Sequence, residues 1–300
     1  MPVHEQGYRR IDERGQARMP AFLTMARSEI ALLFSRKLLL SFVILPSLLP
    51  ALGMMIAVYV VLQVIAQGDL PAGASTLAAG FLQQVGPDFY FLFFKIHAST
   101  FLLLWGAFVG ADLIAGDRKT RALELYFTRP LGRFSYLGGK FCTLAFFLLL
   151  TTFVPGLLIW LFAVSIAPEE EGSMVVSQYL EATRHVPMAI LYYSLIMTTS
   201  TCTLVLALSS LGKSWILVGA LWGGYFLFSQ IIYNIVRELT ESRAAVFLSL
   251  KDSLLEVGEK LFRTGQGGDE WVRAAVALGV LFVLSLFILL RRIRVVETVS

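Results

Sequence analysis

The chain has 300 residues, of which 57% are hydrophobic and only 15% are charged, and its formal net charge is +4. A soluble protein of this size carries about a quarter charged residues, so the composition excludes an ordinary water-soluble globular protein. Together with a mean hydropathy of +0.72, it predicts a polytopic membrane protein. The two cysteines lie in apolar runs and indicate no disulfide framework.

Residues 1–37 form a charged leader that precedes the first long apolar run. A cleaved secretory signal has a short basic region and a short apolar core, whereas this leader is long and the run after it can cross a bilayer. We therefore predict an uncleaved first span. The stretch AFLTMARSEIALLFSRK is amphipathic, which predicts an interfacial helix along the inner leaflet.

Six apolar runs have the roughly 20 residues that cross about 30 Å of hydrocarbon. Only helices or closed barrels satisfy their backbone in lipid, so we predict an all-α, six-span transmembrane domain over 38–291 and a short tail over 292–300. The predicted spans are Leu38–Ala66, Phe89–Leu113, Phe141–Ala167, Met188–Leu208, Trp215–Val236 and Ala274–Leu290.

The positions of Lys and Arg predict the orientation. They are concentrated in the leader, in the link after span two (114–140), in the turn after span four and in the tail. Under the positive-inside rule these segments, and therefore both termini, are cytoplasmic. The loop 237–272 carries charges of both signs and is long, so it weighs less in this prediction.

The loop between spans five and six contains a helical pattern. Apolar residues recur at steps of three and four from Val246 to Leu261, with charged residues between them. One interpretation is an amphipathic helix on the outer leaflet or on the outer ends of the spans. The alternative is a lid over a translocation path.

The stretch ALSSLGKS, Ala207 to Ser214, resembles the end of a phosphate-binding loop. Such a loop needs a strand before it and a helix after it, so that backbone N–H groups converge on the phosphates. Both flanks here are predicted spans, and the stretch is interpreted as a tight turn. We therefore expect no nucleotide, metal or other cofactor in this chain; if ATP drives the protein, another polypeptide binds it.

The link after span two carries the most informative pattern, AGDRKTRALELYFTRPLGRFSYLGGKF. Asp117 can cap a short helix that begins at Arg118, and Pro130 should end it near Thr128. Tyr126 and Phe127 lie on its apolar face. The helix either rests in the lipid headgroups or inserts into a groove on a partner, and the residues alone leave both open.

The run from Asp117 to Arg133, followed by Gly139-Lys140, resembles the cytoplasmic signature of type-2, exporter-type ABC permeases. This chain has Arg121-Ala122 where most members of that family have Gly-Thr. The resemblance implies a permease in a prokaryotic plasma (inner) membrane, in contact with membrane lipid. It also implies pairing with a second copy or a paralogue, and no nucleic-acid partner.

The same resemblance implies that the link carries a coupling helix, on which a separate ABC ATPase subunit docks and to which it transmits its ATP-driven closure. The apolar members would fill a groove on the ATPase, the charged members would pair at its rim, and the proline would set the exit angle into span three. The implied contact residues are Leu123, Glu124, Tyr126, Phe127, Arg129 and Pro130.

Polar groups within spans are candidates for a translocation path, although hydroxyls also pack helices and a lysine near a surface can extend to it. The candidates are Lys95 and His97 in span two and Thr198, Thr199, Ser200 and Thr201 in span four.

Two pairs of glycines have the spacing that lets helices approach closely, Gly106 with Gly110 and Gly219 with Gly223. The sequence leaves open whether they pack helices within one chain or between two copies.

No catalytic pattern accompanies these features, since His4-Glu5 lacks the second histidine of a zinc-protease helix. The alternatives to a permease are a membrane-embedded enzyme of unknown reaction and a non-transporting membrane scaffold. Co-purification with an ATPase and stimulation of its turnover would distinguish a transporter from both.

Overall fold

The computed structural model describes residues 20–66, 86–122, 132–165, 180–181, 183–240, 243–263 and 270–293. Nearly all of these residues are helical, and six helices among them are long and apolar enough to cross a membrane. The predicted all-α, six-span fold is therefore confirmed. The leader helix is Ala21–Ser35, and spans one to six are Lys37–Val60, Pro87–Lys119, Arg133–Ser165, Val186–Leu211, Trp215–Thr240 and Glu270–Arg292.

Spans two and three extend beyond their predicted limits at the ends that flank the link. Span two continues past Leu113 to Lys119, and span three begins at Arg133 rather than Phe141. The link between them is therefore shorter than the predicted 114–140, and from here on the name refers to residues 120–132. Charged residues suggested the earlier boundaries, because an unpaired charge does not enter hydrocarbon. In the folded chain Asp117 pairs with Lys140, and Arg118 donates to a carbonyl of span four, so charged residues are accommodated in the extended helices.

The leader helix packs against span three at one end of the bundle, which we call the leader side; the opposite end is the far side. Met25, Ala26 and Leu33 of the leader helix are buried. A Cβ atom at Gly139 would lie 3.0 Å from the sulfur of Met25, so this glycine lets the two helices approach closely. The leader helix is therefore docked on the bundle as well as amphipathic.

Spans two and four form the interior of the bundle, since 61% and 67% of their most apolar windows are buried. The corresponding values for spans one, five and six are 33%, 22% and 28%, so these three spans are peripheral. Spans two and four both run from the far side to the leader side and are therefore parallel neighbours. Span two is irregular, with π-helical turns at His97–Phe101 and Gly106–Gly110.

The loop after span five forms a 3-10 turn, Arg243–Leu248, and a helix, Leu250–Phe262, which we call the loop helix. The prediction of a helix resting on the surface or on the ends of the spans is wrong about its depth. Val257 lines a groove with Thr199 of span four, and Thr199 lies about 20 Å along that span from its start at Val186. The loop helix therefore inserts between the spans.

An aromatic cluster fixes the far-side end of the loop helix. Phe262 contacts Phe91 and Phe94 of span two and Tyr193 of span four, with ring centroids 5.5 to 6.0 Å apart. A Cβ atom at Gly258 would collide with Phe91 and Tyr193. Such burial explains the depth: the apolar face of the helix covers side chains rather than headgroups.

Candidate functional site

The glycines of span two lie where neighbouring spans of the same chain make their closest approach. A Cβ atom at Gly106 would collide with the indole ring of Trp222 in span five, and one at Gly110 would collide with Val205 in span four. The Trp222 Nε1–H donates to the carbonyl oxygen of Leu103 at 3.0 Å. Gly219 likewise lies against the backbone of Ala107. These contacts answer the packing question for Gly106, Gly110 and Gly219: they pack helices within one chain.

Just beyond the second π-helical turn, a side chain of span four forms hydrogen bonds with the backbone of span two. The Ser209 hydroxyl accepts hydrogen bonds from the N–H groups of Ile114 and Ala115, at 3.1 and 3.0 Å. The same hydroxyl donates to the carbonyl oxygen of Ala111 at 2.8 Å. In a regular α-helix the Ala115 N–H donates to that carbonyl, so the Ser209 hydroxyl bonds to both the donor and the acceptor of one helical turn of span two.

A second contact ties the end of span two to span four. The Arg118 guanidinium donates to the carbonyl oxygen of Ser210, which is part of the last turn of span four. Carbonyls in the last turn of a helix have no donor within the helix, and a cation also suits this end of its dipole. ALSSLGKS therefore contributes structure: it ends one helix at Leu211, and its two central serines hold span two.

The helix of span two ends at Lys119 and the chain turns at Thr120 and Arg121, where Arg121 has a φ of 58°. The prediction of a new helix beginning at Arg118 and capped by Asp117 is therefore wrong. Arg118 belongs to span two, and helix resumes at Ala122. The Asp117 side chain is engaged elsewhere, in a cluster of charges.

This charge cluster joins the leader helix to spans two and three. Lys140 of span three is 3% exposed at its side chain, and its Nζ lies 2.6 Å from Oδ2 of Asp117 and also pairs with Oε1 of Glu29. Tyr136 donates to the same Asp117 oxygen at 2.8 Å, and Thr143 donates to Glu29 at 3.2 Å. Span two before the link is thus bound to span three after it.

The cluster holds two carboxylates against one ammonium group, so its charges do not balance. Burial raises the pKa of the Glu29 carboxyl above its ordinary value of 4.5. The charge of Lys140 and its hydrogen bond lower that pKa, but burial has the larger effect. Glu29 therefore carries its charge at a cost, which the ion pair only partly offsets.

The six residues predicted to contact an ATPase, Leu123, Glu124, Tyr126, Phe127, Arg129 and Pro130, lie outside the described residues. Their role stays a prediction. What the structure describes is the frame on both sides of them, from Asp117 to Ala122 and from Gly132 onwards.

The candidates for a translocation path occupy different environments. Lys95 is exposed, whereas His97 is buried, with Nδ1 3.0 Å from the Phe93 carbonyl and Nε2 2.9 Å from the Ser47 carbonyl of span one. Thr198 and Thr201 are buried, and their hydroxyls have no hydrogen-bond partner among the described residues. A path through these residues stays a prediction.

Thr199 and Ser200 line an open groove of about 370 Å³ between span four, the loop helix and span six. The Thr199 hydroxyl donates to the Leu195 carbonyl of its own helix at 2.6 Å. Within the ranges that the structure describes, no group of three or more His, Cys, Asp or Glu residues is arranged to hold a metal.

Sequence reasoning missed the role of Ser209 and the partners of Asp117 and Glu29. Ser209 lies 94 residues from Ala115 in the chain, and Lys140 lies 111 residues from Glu29. The only available signal was a polar residue at the end of an otherwise apolar span. At Ser209 this signal was interpreted as part of a resemblance to a phosphate-binding loop.

A protein-family model described as "ABC-2 family transporter protein" matches residues 25–291 of the chain. No curated protein matches it. The matched region includes most of the leader helix, the link and all six spans apart from the last residue of span six.

Proposed function

The chain belongs to the ABC-2 family of transporter proteins and is a permease component of an ABC transporter, and we propose that it is an exporter driven by separate ATPase subunits that dock on the link after span two. Two copies, or this chain and a paralogue, would enclose the path. The leader side would face the cytoplasm of a prokaryotic cell, because Lys and Arg are concentrated there. ATP would be bound by the partner subunit alone.

One observation carries this proposal: the two ends of the link are bound to each other and to the interior of the bundle. Asp117, before the link, pairs with Lys140, after it, at 2.6 Å. A force applied to the residues between them therefore acts on spans two and three together. Through Ser209 and Arg118 it also acts on span four.

These contacts are strong enough for a movement of the link to displace spans two and three without breaking the ion pair between them. Lys140 is almost fully buried, and breaking a buried ion pair by removing one partner costs about 3–5 kcal/mol. An exposed pair such as Arg36–Asp112, at 3.3 Å, contributes only about 0–1 kcal/mol. The link is thus held at its ends by the stronger kind of contact.

The apolar members of the link would supply the docking energy. Aromatic residues that fill a pocket on a partner commonly each contribute 2 kcal/mol or more, which corresponds to about a 30-fold change in Kd. Tyr126 and Phe127 have the chemistry for this role, and Glu124 and Arg129 would pair with charges at the rim.

The test replaces both Tyr126 and Phe127 with Ala and measures the Kd for the cognate ATPase subunit and the stimulation of its turnover. We expect binding at least about 30-fold weaker, and stimulation lost. The control is Phe134→Ala, since Phe134 is an aromatic residue that is 64% exposed at the start of span three. Unchanged binding and stimulation in the double variant would refute docking on this link.

A further inference from the structure

We propose that Ser209 is a positioning residue for coupling: its hydroxyl fixes the direction of Ala111–Lys119, which we call the lever segment, and joins that segment to span four. This inference rests on the proposed function, because it concerns how movement of the link reaches the bundle. It assigns a role to a serine that is fully buried inside the bundle.

The hydroxyl is used to its full capacity. A serine hydroxyl offers one donor and two acceptor lone pairs, and Ser209 donates to Ala111 and accepts from Ile114 and Ala115. Ser209 is 0% exposed, so water does not compete for these bonds. All three bonds cross from span four to span two.

We infer that these bonds set the direction of span two as well as its attachment. A group inserted between a helical N–H and the carbonyl four residues earlier opens the ladder and bends the helix. The insertion follows directly on the π-helical turn Gly106–Gly110, where the ladder already departs from α-helical spacing. The direction of the lever segment is therefore set at the point where Ser209 enters.

The lever segment is bound to span four at both ends. Ser209 holds its beginning at Ala111, and Arg118 donates to the Ser210 carbonyl near its end. The link starts immediately after Lys119. A displacement of the link thus moves the lever segment and span four as one unit, and span four carries it into the interior of the bundle.

Loss of the hydroxyl does not leave buried backbone groups without partners. Once Ser209 is withdrawn, the Ala115 N–H can donate directly to the Ala111 carbonyl, and the Ile114 N–H to the Gly110 carbonyl, as in a regular helix. The ladder closes and the lever segment changes direction. We therefore expect the fold to survive and the coupling to fail, which separates a positioning role from a purely structural one.

The experiment compares Ser209→Thr with Ser209→Val in the full chain, assembled with the cognate ATPase subunit. Thr and Val have nearly the same shape, and only Thr keeps the hydroxyl. Ser210→Ala is the control, because the Ser210 hydroxyl donates only to the Ala207 carbonyl of its own helix, at 2.7 Å. The measurements are the Kd for the ATPase subunit, the stimulation of its turnover and the free energy of unfolding.

We expect all three variants to bind the ATPase subunit with the affinity of the unmodified chain. Stimulation of turnover should fall about tenfold or more in Ser209→Val, equivalent to about 1.4 kcal/mol, and persist in Ser209→Thr and Ser210→Ala. Equal stimulation by the Thr and Val variants, whether high or low, overturns the role of the hydroxyl. Failure of the unmodified chain to bind or stimulate the ATPase overturns the proposed function instead.

Discussion

Replacing Lys140 with Met tests the cluster that joins the two ends of the link. Met has a similar length and no charge, so the change removes the ammonium group and leaves the two carboxylates facing each other. Removing one partner of a buried ion pair costs about 3–5 kcal/mol. The side chains of Asp117 and Glu29 are 18% and 14% exposed, so some water reaches them and we expect the lower end, about 3 kcal/mol.

The assay is unfolding of the purified chain by SDS in mixed micelles, with the free energy of unfolding compared between variants. The matched control is Arg36→Gln, which breaks the exposed pair with Asp112 and should cost at most about 1 kcal/mol. Adding Glu29→Gln and Asp117→Asn to Lys140→Met should recover most of the loss, because neutral carboxamides carry no charge penalty. A Lys140→Met variant that loses no more stability than Arg36→Gln would refute this account of the cluster.

Two further predictions concern the charge cluster and the packing of span two. Because the pKa of the Glu29 carboxyl is raised in the folded chain, the contribution of Glu29 to stability is fully present below the ordinary pKa of 4.5 and is lost as the pH rises through the raised pKa. A series of unfolding free energies measured against pH should show this loss, and Glu29→Gln should remove it. An unchanged slope against pH in that variant would contradict the assignment. Gly106→Ala should cost about 1–3 kcal/mol, because its Cβ atom would collide with Trp222. The control is Gly53→Ala: nothing lies within 4 Å of its Cβ atom, so it should cost nothing in the same assay and gain up to about 1 kcal/mol from helix propensity. Equal effects of the two changes would contradict the packing argument.

The position of the link in the chain could be predicted from local sequence pattern, but the contacts that hold its two ends could not. Arg-Pro at Arg129 and Pro130, with aromatic residues just before them, distinguished this segment in the sequence. The resemblance to a permease family then implied a docking helix there, which stays a prediction. Nothing local indicated that Asp117 would pair with Lys140 instead of capping a helix. The predicted helix boundary at Arg118 was wrong for the same reason. The rule for helix caps considers only neighbouring residues, whereas the Asp117 carboxylate instead pairs with Lys140 of span three.

Hydropathy alone determined the number of spans and the all-α class. The bilayer sets the length of an apolar run that crosses it, and its lack of water forces each run to close its own hydrogen bonds, so both properties are local to each segment. Only the tertiary structure decided how deep the loop helix lies and which neighbours the glycines of span two contact. It also decided that the Ser209 hydroxyl forms hydrogen bonds with the backbone of another span. Those features depend on atoms far apart in the chain that meet only when the helices pack, and the hydrophobic pattern of a span does not specify its neighbours.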